Sequence, residues 1–173
     1  MPRGASRDYL SLIDTHTSGP RYDVTPLFAD AAAFAAALDD LLALIGDTPY
    51  DLVAGIDALG FILGAGLAMR AGKGFVPIRK GGKLPVATDT IEFVDYSGAS
   101  KSLEVRRDAL SPGARVLVVD EWIETAAQVA AAIQLIEGQG GAIAGVATIH
   151  MDENERTRRA TERYPVFQLL PEA

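Results

Sequence analysis

Apolar positions recur along the chain with two periods. Across residues 31–45, Phe34, Leu38, Leu41, Leu42 and Ile45 fall three or four apart and form one stripe of a helix, with Asp30 placed to cap its start and Gly46 to end it. Short unbroken apolar runs then alternate with helical segments. "DLVAGID" (51–57) reads as a buried strand, "GFILGAGLAMRAG" (60–72) as a small-residue helix packed closely on it, and "GFVPI" (74–78) as the next strand. Residues 79–85 are basic, glycine-rich and loop-like, and 87–106 reads as two polar strands joined by "DYSGAS". "RVLVVD" (115–120) is the most strand-like run. It precedes a helix over about 126–138, a strand "GAIAGVATIH" (141–150), a short amphipathic helix in "NERTRRATERY" and a last strand "VFQLL". Strands alternating with helices predict an α/β fold with a largely parallel sheet. In such sheets ligands bind beyond the carboxyl ends of the strands, which singles out the loops at 57–60, 79–83 and 120–128.

Composition narrows the picture. At 173 residues the length fits a single domain, 1–173. With 49% hydrophobic and 23% charged residues the chain is not a disordered one. A net charge of −7 argues against a nucleic-acid footprint or an anionic membrane surface, both of which need a basic face. The absence of cysteine excludes disulfides, thiolate nucleophiles and cysteine-ligated metals. "MPRGASRDYLSLIDTHTSG" has no apolar run of signal-peptide length, and the most apolar later stretch is broken by glycines and Arg70. A cytoplasmic protein is expected, with no membrane partner.

The three loops carry distinct chemistry. Asp120 and Glu121 close a strand, where two carboxylates can accept hydrogen bonds from a diol and place negative potential under a developing cation; as plain structure, one would cap a helix and the other face water. Arg79, Lys80 and Lys83 put three cations in five residues around Gly81 and Gly82, fit either for a polyphosphate or for a solvated turn. Asp95 and Tyr96 lie in "DYSG", which is good turn chemistry and also a place for a proton acceptor on a closing hairpin.

In their order and spacing these loops resemble the type I phosphoribosyltransferases, and "IRKGGKLP" (78–85) is close to a signature of the adenine phosphoribosyltransferases. The resemblance extends over nearly the full chain, through "DVTPLFAD" (23–30), "AGIDALGFILGAGLA" (54–68), "DYSGASKSLEVRRDAL" (95–110) and "VFQLL". It implies the type I fold, a central largely parallel sheet flanked by helices, with a flexible catalytic hairpin and a small hood over the base. It also implies transfer of phosphoribosyl from phosphoribosyl pyrophosphate to a purine, adenine by analogy, with release of pyrophosphate. Mg²⁺ would enter with the co-substrate, without metal ligands of the protein's own, and the chain would form a homodimer. By the same resemblance Asp120 and Glu121 hold the ribose hydroxyls. Asp57, Ala58, Leu59, Gly60, Arg79, Lys80 and Lys83 handle pyrophosphate. Glu124, Thr125, Ala126, Ala127 and Gln128 receive the 5′-phosphate, Asp95 and Tyr96 serve catalysis, and Arg21, Tyr22 and Val24 flank the base.

The sequence departs from the resembling pattern in four places. The family's D-S-R-G is here Asp57-Ala58-Leu59-Gly60, which removes a guanidinium whose bonds to phosphate are worth roughly 1.5–3 kcal/mol each. The phosphate turn A-T-G-G-T is here Glu124-Thr125-Ala126-Ala127-Gln128, and alanine is expected to form a similar turn only with negative φ. Glu124 has three readings: filling the anion site, repelling a phosphate, or facing water. F-R-D-I is here Arg21-Tyr22-Asp23-Val24, and Asp95 stands for the family's glutamate. His16 and His150 read as isolated loop or strand-end histidines, Trp122 as a packing residue or a wall of the ribose pocket, and Arg156, Arg158, Arg159 and Arg163 as an exposed helix face. Three functions follow: an active transferase, a catalytically impaired relative that binds a nucleotide or another phosphorylated ligand in a regulatory role, or a specialised transferase acting on a different base or a modified donor.

Overall fold

The protein is described here by a computed structural model covering residues 8–19, 21–94 and 98–170. Five parallel strands form the centre: β1 (Leu52–Ile56), β2 (Gly74–Lys80), β5 (Arg115–Val119), β7 (Ala142–Thr148) and β9 (Val166–Gln168). Two further strands, β3 (Thr88–Val94) and β4 (Ser100–Arg106), pair antiparallel, and β4 also lies antiparallel to β2, giving the order β3-β4-β2-β1-β5-β7-β9. The alternation of strand side chains divides the core in two. Val53, Leu117 and Val119 face α2 (Ala31–Ile45) and α3 (Leu59–Ala71), while Ala54, Ile56, Val116 and Val118 face α4 (Ala127–Gly138). Helices on both faces of a mostly parallel sheet are what unbroken apolar strands require.

Local chemistry sets the boundaries. Asp30 caps α2 by accepting from the N–H groups of Ala32 and Ala33, both at 2.9 Å, and Gly46 ends the helix at φ 55°. Four features differ from the sequence expectation. A 3₁₀ turn (Asp8–Leu12) and α1 (Thr25–Ala29), with Pro26 in its first turn, precede α2. Strand β2 runs on to Lys80, so Arg79 and Lys80 belong to the sheet, paired with Glu104 and Leu103, and the basic loop starts after them. The predicted strand at 141–150 ends at Thr148; His150–Met151 forms β8, parallel to β6 (Trp122–Ile123), a two-residue ladder too short to have a readable period. The terminal helix is the shorter α5 (Glu155–Thr161), held by a capping box from Asn154 and Thr157.

One backbone expectation is overturned. Ala126, at the start of α4, has φ 55° and ψ 11°, the left-handed region, where the sequence argument required negative φ. The chain must turn sharply from β6 into α4 and keeps this turn although alanine there costs about 1–2 kcal/mol. Ala127 is already helical. Glycine at 126 should therefore be neutral or slightly stabilising, whereas glycine at 127 should cost about 1 kcal/mol. Ala126→Gly should consequently melt roughly 2–4 °C above Ala127→Gly, and equal melting temperatures would contradict the left-handed turn.

Candidate active site

A cavity of about 680 Å³ opens beyond the carboxyl end of β5. Its walls bring together Arg21, Asp120, Glu124, Thr125, Ala126, Ala127 and Gln128, with Lys80 and Gly81 also lining it. The start of α4 has no side-chain cap, so its first-turn N–H groups are not engaged by Ala126. The Glu124 carboxylate does not take that place: its Oε1 lies 3.4 Å from Nε of Arg21. The Nη1 of Arg21 is 3.4 Å from Oε1 of Glu121, so one guanidinium spans two of the candidate acids.

Asp120 and Glu121 are both buried, at 5% and 4% exposure. The Asp120 carboxyl is pushed well above the usual carboxylate range, by burial first and then by the charge of Glu121 and a side-chain hydrogen bond with it; Arg21 and the Glu121 N–H pull the other way. Thr148 fixes the strand end by donating its hydroxyl to the carbonyls of Glu121, at 3.1 Å, and His150, at 3.0 Å. Gly60 is required by close approach. A Cβ there would lie 2.8 Å from the Val119 carbonyl oxygen and 3.0 Å from Oδ1 of Asp120.

The remaining pyrophosphate and base candidates stand around this cavity without lining it. Leu59 packs against the core beneath α2 and α3, so the position of the missing arginine has become apolar packing. Asp57 lies 3.9 Å from Nε of Arg79, and Ala58 is exposed at the start of α3. Arg79 donates from Nη1 to the Lys83 carbonyl at 3.3 Å, folding back over its own loop. Val24 is 1% exposed, and its side chain belongs to the core. Tyr22 leans on Trp122, with ring centroids 5.2 Å apart, and Trp122 itself is buried with its ring 4.6 Å from that of His150. Trp122 therefore both packs and forms part of the cavity wall. Asp95 and Tyr96 lie outside the described residues. Arg156 and Arg159 are exposed on α5 and line a second hollow of about 620 Å³ that shares Thr125, Ala126 and Ala127 with the first.

Two residues escaped the sequence reading. Glu104, at 4% exposure, accepts from the N–H groups of Gly82 at 3.0 Å and of Lys83 and Leu84 at 2.7 Å. Burial alone would raise its carboxyl, but these three donors and the charge of Arg79 outweigh it and hold the group below its ordinary value. Its only sequence signal is a charged residue in the apolar alternation of "SLEV". Asn154 donates from Nδ2 to the Glu124 carbonyl at 2.7 Å, tying the phosphate turn to α5.

Carboxylates at the end of a parallel strand, an uncapped helix start and a facing lysine make a site for a sugar carrying phosphate groups. A family profile for the phosphoribosyl transferase domain matches residues 25–170, and the chain belongs to that family. Within it, the chain is similar to adenine phosphoribosyltransferases. It is 40% identical over 148 residues to that of Roseiflexus sp. (strain RS-1), covering 86% of each chain. The solved structure of the adenine phosphoribosyltransferase from Thermoanaerobacter pseudethanolicus matches with a TM-score of 0.87 at 32% identity, covering 94% of this chain and 96% of that one. The enzyme from Giardia lamblia complexed with 9-deazaadenine matches with a TM-score of 0.85 at 30% identity, over 96% and 97% of the two chains.

Two outcomes are expected. Glu104→Ala removes the acceptor for three N–H groups, and should cost about 2 kcal/mol, lowering the melting temperature by roughly 4–8 °C. An unchanged melting temperature would contradict that anchoring. For Asp120, the unfolded chain releases near the ordinary carboxylate pKa a proton that the folded chain keeps to higher pH. Wild-type stability therefore falls as pH rises through that window. Asparagine does not titrate, so the stability of Asp120→Asn relative to wild type should rise from pH 4 to pH 8. Thermal melts at both pH values check the trend.

Proposed function

We propose that the protein is an adenine phosphoribosyltransferase. The bond from C1′ of phosphoribosyl pyrophosphate to the leaving pyrophosphate breaks, a bond from C1′ to an adenine nitrogen forms, and the base gives up a proton. The observation that carries this reading is the single cavity wall that joins the Asp120 carboxyl to the uncapped start of α4. The purine assignment rests on the similarity to enzymes of that name, one of them complexed with 9-deazaadenine.

In this reading the Asp120 and Glu121 carboxyls accept the ribose hydroxyls and sit under the positive charge that grows at C1′. The N–H groups around Thr125, Ala126, Ala127 and Gln128 receive the 5′-phosphate. Lys80, Arg79 and Lys83 draw charge from the departing pyrophosphate, with Asp57, Ala58, Leu59 and Gly60 shaping the opposite side of that channel. Tyr22, leaning on Trp122, flanks the base, and Asp95 with Tyr96 takes its proton. Mg²⁺ would be carried in by the oxygens of the co-substrate, without ligands of the protein's own, and would supply charge neutralisation for the leaving pyrophosphate. A homodimer in the cytoplasm completes the proposal. Ile62 and Met69, seven residues apart on α3 and exposed at 43% and 84%, offer it an apolar face.

Purified protein given adenine, phosphoribosyl pyrophosphate and Mg²⁺ should release pyrophosphate and run at twice the chain mass by light scattering. Asp120→Asn and Glu121→Gln should each lower kcat/KM by about 10²–10³. Folded protein that turns over neither adenine nor any other common base would overturn the reading.

A further inference from the structure

Two departures from the resembling pattern, at positions 21 and 124, meet in space. We infer that Arg21 is a positioning residue for the phosphorylated donor, holding Glu121 ready for the ribose while neutralising Glu124 beside the 5′-phosphate turn. This rests on the transferase reading above.

The geometry supplies the reasons. Glu124 directly precedes the turn whose N–H groups open α4, and its side chain is 15% exposed, so water screens it poorly. Its backbone is pinned from behind by Asn154, at 2.7 Å, so the residue cannot readily swing out of the corner. An unpaired carboxylate there would compete with a phosphate for the same N–H groups and repel it. Arg21 stands against this charge at 3.4 Å and spans to Glu121 at the same distance. Neither contact is short, and the Arg21 side chain is 43% exposed, so the guanidinium can shift while the donor enters. A guanidinium has five N–H donors, and the two contacts engage only Nε and Nη1. The rest remain to meet anionic oxygens in the cavity that Arg21 lines. The charge absent at Leu59 thus has a counterpart on another wall, and the acid added at 124 has its partner.

The test is a double-mutant cycle on wild type, Arg21→Ala, Glu124→Ala and the double variant, reading KM for phosphoribosyl pyrophosphate and for adenine separately. Arg21→Ala should raise the donor KM by about 10–100-fold, Glu124→Ala should lower it about twofold, and the double variant should return to within about threefold of wild type. The adenine KM should move little. Circular dichroism and melting temperature of each variant show whether it is folded. Additive effects without rescue, or a rise confined to the adenine KM, would overturn the inference and leave the transferase reading intact, the latter making Arg21 a base-site residue. If wild type shows no turnover, calorimetry with ribose 5-phosphate on the same four proteins reads the same cycle in Kd. Rescue there supports the pairing although catalysis has failed. Absence of both turnover and ribose 5-phosphate binding in wild type overturns the transferase reading and this inference together.

Discussion

At the carboxyl end of β5 two consecutive acids are shut away from water, and the elements around them are arranged to tolerate that. Among the described residues Asp120 receives one backbone N–H, from Glu121 at 3.1 Å, and faces a second carboxyl, so burial and repulsion together favour its protonated form. The first turn of α3 must come close enough to cover it, which only Gly60 permits. Gly55 is required in turn, since a Cβ on it would lie 2.6 Å from the Gly60 carbonyl oxygen. On the other side Thr148 and the short β6–β8 ladder hold the strand end in register. A parallel sheet buried on both faces makes such a site possible, because its strand ends are fixed by long rows of backbone bonds rather than by the site itself.

The same protein holds a further buried carboxylate, opposite in character to Asp120. Glu104 lies in β4 and accepts three N–H groups from the 82–84 segment, and its carboxyl is held below the ordinary range. Both are nearly closed to solvent, and they differ in supply of donors. One is satisfied by the fold and gives the basic loop its shape. The other is left short of donors by the fold, and a diol is the kind of group that would complete it.

Much of the architecture was legible in the sequence because it depends on periodicity. The stripe from Phe34 to Ile45, the capping Asp30 and the ending Gly46 define α2 from neighbouring residues alone, and the runs at 52–56 and 115–119 are apolar because both their faces are covered. The loops of the site were legible by their order and residue types. What stayed hidden depends on partners distant in the chain. Arg21 and Glu124 are 103 residues apart, and nothing near either position announces the other. Glu104 acts through backbone N–H groups some 20 residues away. The β6–β8 ladder is too short to show alternation. Ala126 is the instructive miss, since local propensity argued for negative φ and the connection from β6 to α4 prevailed.

That outcome bears on how the phosphate turn should be understood. Replacing two glycines by alanines suggested that the turn had lost its shape, yet the left-handed residue is kept at 126 and α4 still starts without a side-chain cap. The shape depends on the ends of the turn more than on its glycines. Ile123 is buried in the core before it, the Glu124 carbonyl is held by Asn154, and Val129 is buried just beyond it. With its ends fixed, the turn can bear a strained alanine at a cost of about 1–2 kcal/mol, which a domain of ordinary stability absorbs. The change of consequence is therefore in charge. Glu124 brings a negative group to a place suited to an anion, and Arg21 is the nearby cation that answers it. Selection of ligand at this corner then turns on how one guanidinium is divided among Glu121, Glu124 and an incoming phosphorylated sugar.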